Sequence, residues 1–91
     1  MKCPNSDLPT IHVDFNNTDA DGFVRLNTVG VTNDLARLNI ALVDGLRLCA
    51  TDDEYALEGT VRVPGLEGVW RLQVNWDDFK QHVMREYDRR P

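Results

Sequence analysis

Apolar and polar residues alternate along most of this chain, and the alternation changes phase wherever turn-forming residues gather. Ile11, Val13 and Phe15 alternate with His12, Asp14 and Asn16, the period of two that predicts a half-buried strand. The stretch from Asn16 to Gly22 is dense in Asn, Asp and Gly, which tolerate turn geometry. Phe23 to Asn27 predicts a second short strand with Val24 and Leu26 on one face. These two segments are expected to form a hairpin with a wide loop.

The pattern changes between Thr28 and Leu42. Leu35 and Leu38 stand three apart and share a helical face. Thr32 is the expected cap, Asp34 sits near the positive end of the helix dipole, and Asn39 ends a helix of about two turns. So short a helix must dock on a sheet.

Three more strands follow. Leu46, Leu48 and Ala50 alternate with Arg47 and Cys49. Tyr55, Leu57, Gly59, Val61 and Val63 alternate with Ala56, Glu58, Thr60 and Arg62. Trp70, Leu72, Val74 and Trp76 alternate with Arg71, Gln73 and Asn75. Asp44-Gly45, Asp52-Asp53-Glu54 and Pro64 to Gly68 are the connecting turns.

Partners in the last hairpin must share a face, so their numbers must sum to an odd value. A sum of 133 would oppose Arg62 and Arg71, two like charges. The expected sum is therefore 131, which sets Gly59 opposite Leu72 and Tyr55 opposite Trp76. Asp77 is expected to cap a final helix whose stripe is Phe79, Val83 and Tyr87, with His82 and Met84 beside it.

The order β-β-α-β-β-β-α predicts a mainly β fold with two short helices. An SH3-like small barrel is the first expectation, and an open antiparallel α+β sheet is the alternative. Residues 1–10 read as a flexible arm, 11–88 as one globular domain, and 89–91 as a frayed end.

Composition narrows the function classes. Leu, Ile, Val and Phe number 25 of 91 residues, enough to build a core and to argue against wholesale disorder. The net charge is −5, and since residues 77–91 hold four acids and four bases, residues 1–76 carry all of it. Nucleic acids and anionic membranes both require a basic face, so neither is an expected partner. No apolar run is long enough to span a bilayer. Cys3 and Cys49 are too few for a disulfide framework and fit no zinc spacing. They read as free thiols of a cytoplasmic protein, with a bridge between them as an alternative that nothing selects.

The segment Gly22-Phe-Val-Arg-Leu-Asn-Thr28, with Gly30, Asp34-Leu35, Asp44-Gly45-Leu46, Glu58-Gly59-Thr-Val61, Val69-Trp70 and Asn75-Trp76-Asp77, resembles a group of small uncharacterised bacterial proteins. The likeness covers roughly residues 11–79 and rests on turn and core residues. It implies a bacterial, cytoplasmic protein and brings no activity or catalytic residue with it.

Chemistry-bearing patterns are few. Asn17-x-Asp19-x-Asp21-Gly22 starts like a calcium loop, with oxygen ligands at alternate positions before a glycine. The position of the twelfth, bidentate ligand is Thr28, and the flanks read as strands. A polar hairpin loop is the preferred account, and a weak calcium or small-ligand site is the alternative. Asp52-Asp53-Glu54 and Asp77-Asp78 read as a solvated turn and a helix start. His12 and His82 have no partners at ligand spacing, and Ser6 is the only serine, so no triad can form. No phosphate-cradling glycine motif is present. No cofactor and no enzyme activity are expected. Tyr55 and Trp76, at the end of the sheet, are the candidate aromatic binding pair. The expected function is a non-enzymatic protein-interaction or self-association module, pairing with a partner or a second copy through free strand edges.

Overall fold

A computed structural model of the chain describes Cys3, residues 7–52 and residues 54–77. Its strands are β1 (Thr10–His12), β2 (Val24–Arg25), β3 (Arg47–Thr51), β4 (Ala56–Arg62) and β5 (Arg71–Val74), with one helix, α1 (Val29–Leu38). The strands form one sheet in the order β1-β3-β4-β5-β2. It curls as a half-barrel, with β1 and β2 as its two ends. The protein is thus mainly β with one described helix. The final helix expected beyond Asp77, with His82 and the Phe79, Val83 and Tyr87 stripe, lies outside the described residues. Among the described residues no helix is long and apolar enough to cross a membrane.

Two expectations about pairing are corrected. β1 does not form a hairpin with β2. It runs parallel beside β3, with Thr10, Ile11 and His12 against Cys49, Ala50 and Thr51. Parallel neighbours need a long crossover, and the chain from β2 through α1 supplies it. The sheet is therefore mixed, neither wholly antiparallel nor a closed barrel. A small hairpin does form further on, because Thr18 bridges Val24, Asp19 N–H donates to Phe23 O, and Arg25 N–H donates to Asn17 O.

The second correction is the β4–β5 register. Arg62 pairs with Arg71, Val61 with Leu72 and Gly59 with Val74, a sum of 133. The opposed like charges are accommodated because each head has acceptors of its own. Arg62 Nε donates to Gln73 Oε1 at 2.9 Å, while Arg71 reaches Asp21 Oδ2 at 2.9 Å and the Val63 carbonyl at 3.2 Å.

The helix begins one turn earlier than expected. Thr28, in extended conformation, is the cap, and its Oγ1 accepts from Val31 N–H at 3.3 Å. Thr32, the expected cap, instead donates its hydroxyl to Thr28 O. Asn39 ends the helix as expected, at φ 56°, a left-handed conformation that asparagine tolerates. Helix α1 lies against β1, and Gly30 sits where a Cβ would be 3.6 Å from His12 O.

The core lies under the concave face. Ile11, Val24, Leu48, Val61 and Leu72 from the strands and Val31 from the helix are all fully buried. The alternation read from the sequence places each of these strand residues on its observed face. A second, smaller cluster of Cys3, Cys49 and Ala56, with Leu8 against it, covers the opposite face of β3 and β4. Cys3 and Cys49 are joined in a disulfide, which replaces the free thiols expected from sequence. The bond anchors the N-terminal segment, whose Thr10 already belongs to β1.

Candidate functional site

The densest polar constellation is built on the 17–22 loop, β2 and the β4–β5 turn. Asp19 makes the turn. Its Oδ1 accepts from the N–H groups of Asp21 and Phe23 at 2.9 and 3.0 Å. Its Oδ2 lies 3.3 Å from Arg71 Nη1, which also reaches Asp21 Oδ2 at 2.9 Å. The Arg71 guanidinium also donates to Val63 O and lies over the Phe23 ring, 4.8 Å from its centroid. Asn17, the remaining candidate ligand, accepts from Arg25 Nη1 and donates to Asn27 Oδ1.

The arrangement answers the calcium-like spacing with a side chain. Arg71 stands between the two carboxylates where a metal ion would sit, and its positive charge is held by the fold itself. Among the described residues no group of three or more His, Cys, Asp or Glu converges on a common point.

Arg25 forms the second clamp. Its Nε and Nη2 grip both oxygens of Glu67 at 2.9 Å, and Nη1 donates to Thr18 O at 2.7 Å. Together Arg25 and Arg71 tie the 17–22 loop to the β4–β5 turn. Between them lies a groove of about 270 Å³, with Ala20, Gly65 and Leu66 along it and Asp21 and Glu67 at its rim. The pair with Arg25 is the main cause that holds the Glu67 carboxyl below its ordinary range. For Asp19 the largest single influence is burial, which works upward. The Phe23 N–H, Arg71 and the Asp21 N–H outweigh it and hold the carboxyl below its ordinary range.

A second network closes the far edge of the sheet. His12, on β1, donates its backbone N–H to Asp34 Oδ2 at 2.7 Å, and His12 Nδ1 is 3.0 Å from the same oxygen. Arg37 reaches Asp34 Oδ1 at 3.3 Å. Burial again works most strongly to raise the Asp34 carboxyl, and these three contacts together bring it below its ordinary range. Carboxylates depressed on folding lend stability above their unfolded pKa and lose it as pH falls through the folded value. The urea midpoint is therefore expected to hold from neutral pH to about pH 5 and to fall below about pH 4. Asp34→Asn is expected to flatten part of that fall, which urea titrations at stepped pH measure.

The aromatic pair does not assemble as expected. Tyr55 is buried in the core, and the observed register no longer sets it opposite Trp76. Trp76 is half-buried, donates its indole N–H to Gly22 O at 2.7 Å, and meets Phe15 edge-on with centroids 6.3 Å apart. Asp52 accepts from Glu54 and Tyr55 N–H groups and is a turn former. Asp77 donates its N–H to Asn75 Oδ1, so the capping geometry falls on Asn75 rather than on Asp77.

The outer face of β3, β4 and β5 holds a larger concavity, about 610 Å³, in which Arg47 pairs with Glu58 at 2.8 Å and Arg62 donates to the neutral Gln73 amide oxygen while lying 3.8 Å from Asp44. Sequence reasoning missed both arginine clamps. The available signal was two arginines on strands beside a loop rich in Asp, which alternation alone treats as solvated positions. No protein family, curated protein or solved structure matches this chain.

Proposed function

We propose that this domain is a non-enzymatic protein-binding module that meets its partner at the end of the sheet formed by the β4–β5 turn and the turn before β3. One observation carries the reading. Four large hydrophobic residues are exposed among those described, and three of them, Val43, Val63 and Leu66, lie on these two neighbouring turns. The turns are tied together, since Asp44 Oδ1 accepts from Val63 N–H at 3.1 Å and Gly45 N–H donates to Val61 O. Apolar side chains so exposed are free to bury area against a partner, and turns whose backbones are already tied have less loop order to lose on binding.

The strand edges support this surface over edge pairing. The outer side of β2 is taken by Asn17 and Asp19, and the outward His12 N–H of β1 by Asp34. The reading therefore moves self-association away from the edges and moves the binding surface away from Tyr55 and Trp76. Weak calcium binding is the less favoured account, because Arg71 already occupies the space between Asp19 and Asp21. The buried Cys3–Cys49 bond favours work in an oxidising compartment over the reducing cytoplasm.

Site-specific photo-crosslinking in the producing cells tests the proposal. A photoreactive residue in place of Val63 or Leu66 is expected to give a discrete protein adduct, weakened by Val43→Asp. The same residue at Asn33, exposed on α1, is the control. An absence of adducts at 63 and 66, or equal adducts at 33, overturns it.

A further inference from the structure

We infer that the groove between the 19–22 loop and the 65–67 turn takes a lysine side chain from a basic segment of the partner, an inference that rests on the protein-binding reading above.

Size is the first argument. About 270 Å³ is below the range of roughly 300–1,000 Å³ that small-molecule sites occupy, and it suits one long side chain. Leu66, fully exposed, with Gly65 and Ala20, offers the apolar wall along which a four-carbon lysine stem can lie.

Charge is the second. Three acids, Asp19, Asp21 and Glu67, stand against two bases, Arg25 and Arg71. The bases are turned inward. Arg71 donates to Asp19, Asp21 and Val63 O, and Arg25 donates to Glu67, Asn17 and Thr18 O. Asp19 is nearly buried, but the other two acids remain toward solvent, with the Asp21 side chain 69% exposed and that of Glu67 49% exposed. The groove therefore favours a cation, and a body in which residues 1–76 carry −5 steers a basic partner toward it.

The free oxygens select among cations. Both Glu67 oxygens are held by Arg25, and both Asp19 oxygens are engaged. Asp21 gives Oδ2 to Arg71, and its Oδ1, which accepts no hydrogen bond among the described residues, is the freest acceptor of the three carboxylates. A guanidinium seeks two parallel acceptors, whereas an ammonium is a compact point charge that one acceptor can seat.

The test is a ¹H–¹⁵N titration of the whole chain with an acetyl-capped Gly-Leu-Lys-Leu-Gly amide, beside the same peptide carrying Nε-acetyl-lysine. The lysine peptide is expected to shift the amides of Ala20, Asp21, Gly65 and Leu66. Acetylation of the lysine, Asp21→Asn and Leu66→Ser are each expected to weaken it by about tenfold, a loss of about 1.4 kcal/mol. Leu66→Ser is the safeguard, because so exposed a side chain is not needed for folding. Shifts elsewhere, no shifts, or equal shifts from the acetylated peptide overturn the inference. If those outcomes accompany discrete crosslinks at 63 and 66, lysine recognition fails while protein binding stands. If no crosslinks form at either position, the wider reading fails with its own experiment.

Discussion

Reduction of the Cys3–Cys49 bond is expected to lower the stability of this domain by about 4 kcal/mol. The estimate follows from the size of the loop the bond closes. Its two ends are 46 residues apart in sequence, and the entropy denied to the unfolded chain rises with the logarithm of that length. The Cα atoms are 6.0 Å apart, a separation at which two cysteines bridge without moving the backbone. Folding also has to bring β1 beside β3 in parallel, a pairing that no short turn can make, and the bond holds the two ends of that crossover close beforehand. In a chain of 91 residues a loss of this size lowers the melting midpoint by roughly 20 °C. The measurement is a urea titration of the oxidised protein beside the reduced protein and the Cys3→Ser/Cys49→Ser variant. The two bond-free forms are expected to agree and to fall together. A difference of under about 1 kcal/mol would show that the bond does not constrain the unfolded chain. In the oxidised protein, a thiol reagent added in denaturant is expected to find no free sulfhydryl, since the described chain has none.

The disulfide also marks where sequence patterning loses its grip. Alternation reports which face a side chain takes, and Ile11, Val24, Leu48, Leu57, Val61 and Leu72 all take the face their spacing predicts. It says nothing about what lies beyond that face. Cys49 is on the outer side of β3, where solvent is the default, yet it is buried because Cys3, Leu8 and Ala56 gather over it. Two cysteines far apart in sequence carry no spacing rule that would bring them together. Pairing fails for a related reason. A period of two fixes inside and outside but not the neighbour, so β1 could be assigned to a hairpin with β2 when its partner is β3. The expected register rests on one electrostatic comparison, Arg62 against Arg71, and holds only where neither head finds acceptors of its own. Gln73 draws one away, and Asp19 with Asp21 draws the other. The Tyr55–Trp76 pair follows from that register, and with a sum of 133 and Tyr55 buried the two are no longer set opposite each other. The loop residues Asn17, Asp19 and Asp21 were legible as a polar turn. The cation that satisfies them comes from Arg71, more than fifty positions from Asp19 in a ladder that local pattern cannot reach.

Gly59→Val is expected to cost roughly 3 kcal/mol or more, the upper range for an overpacked core. Glycine weakens strands, so its place in the middle of a central strand needs a cause. A Cβ at residue 59 would lie 2.6 Å from Leu72 Cγ and 2.8 and 3.0 Å from its two methyl carbons. Leu72 has nowhere to retreat. It is fully buried, and the ladder places Val61 on one side of it and Val24 on the other, both also fully buried. Gly59→Ala is expected to cost less, because it adds one carbon and recovers part of the backbone entropy that glycine forfeits on folding. Leu72→Ala alone opens a cavity at a cost of about 2–5 kcal/mol. Combining it with Gly59→Val lets the new side chain enter the space the leucine leaves, so the double variant is expected to be more stable than the sum of the two losses. Urea midpoints of the four proteins give the coupling directly. Strict additivity would mean that residues 59 and 72 do not share one volume, and the packing account of this glycine would fall. Favourable coupling would show that the glycine is held in place by its neighbour's size. A register that spends a strand position on glycine and opposes two arginines would then rest on one well-filled hydrophobic site.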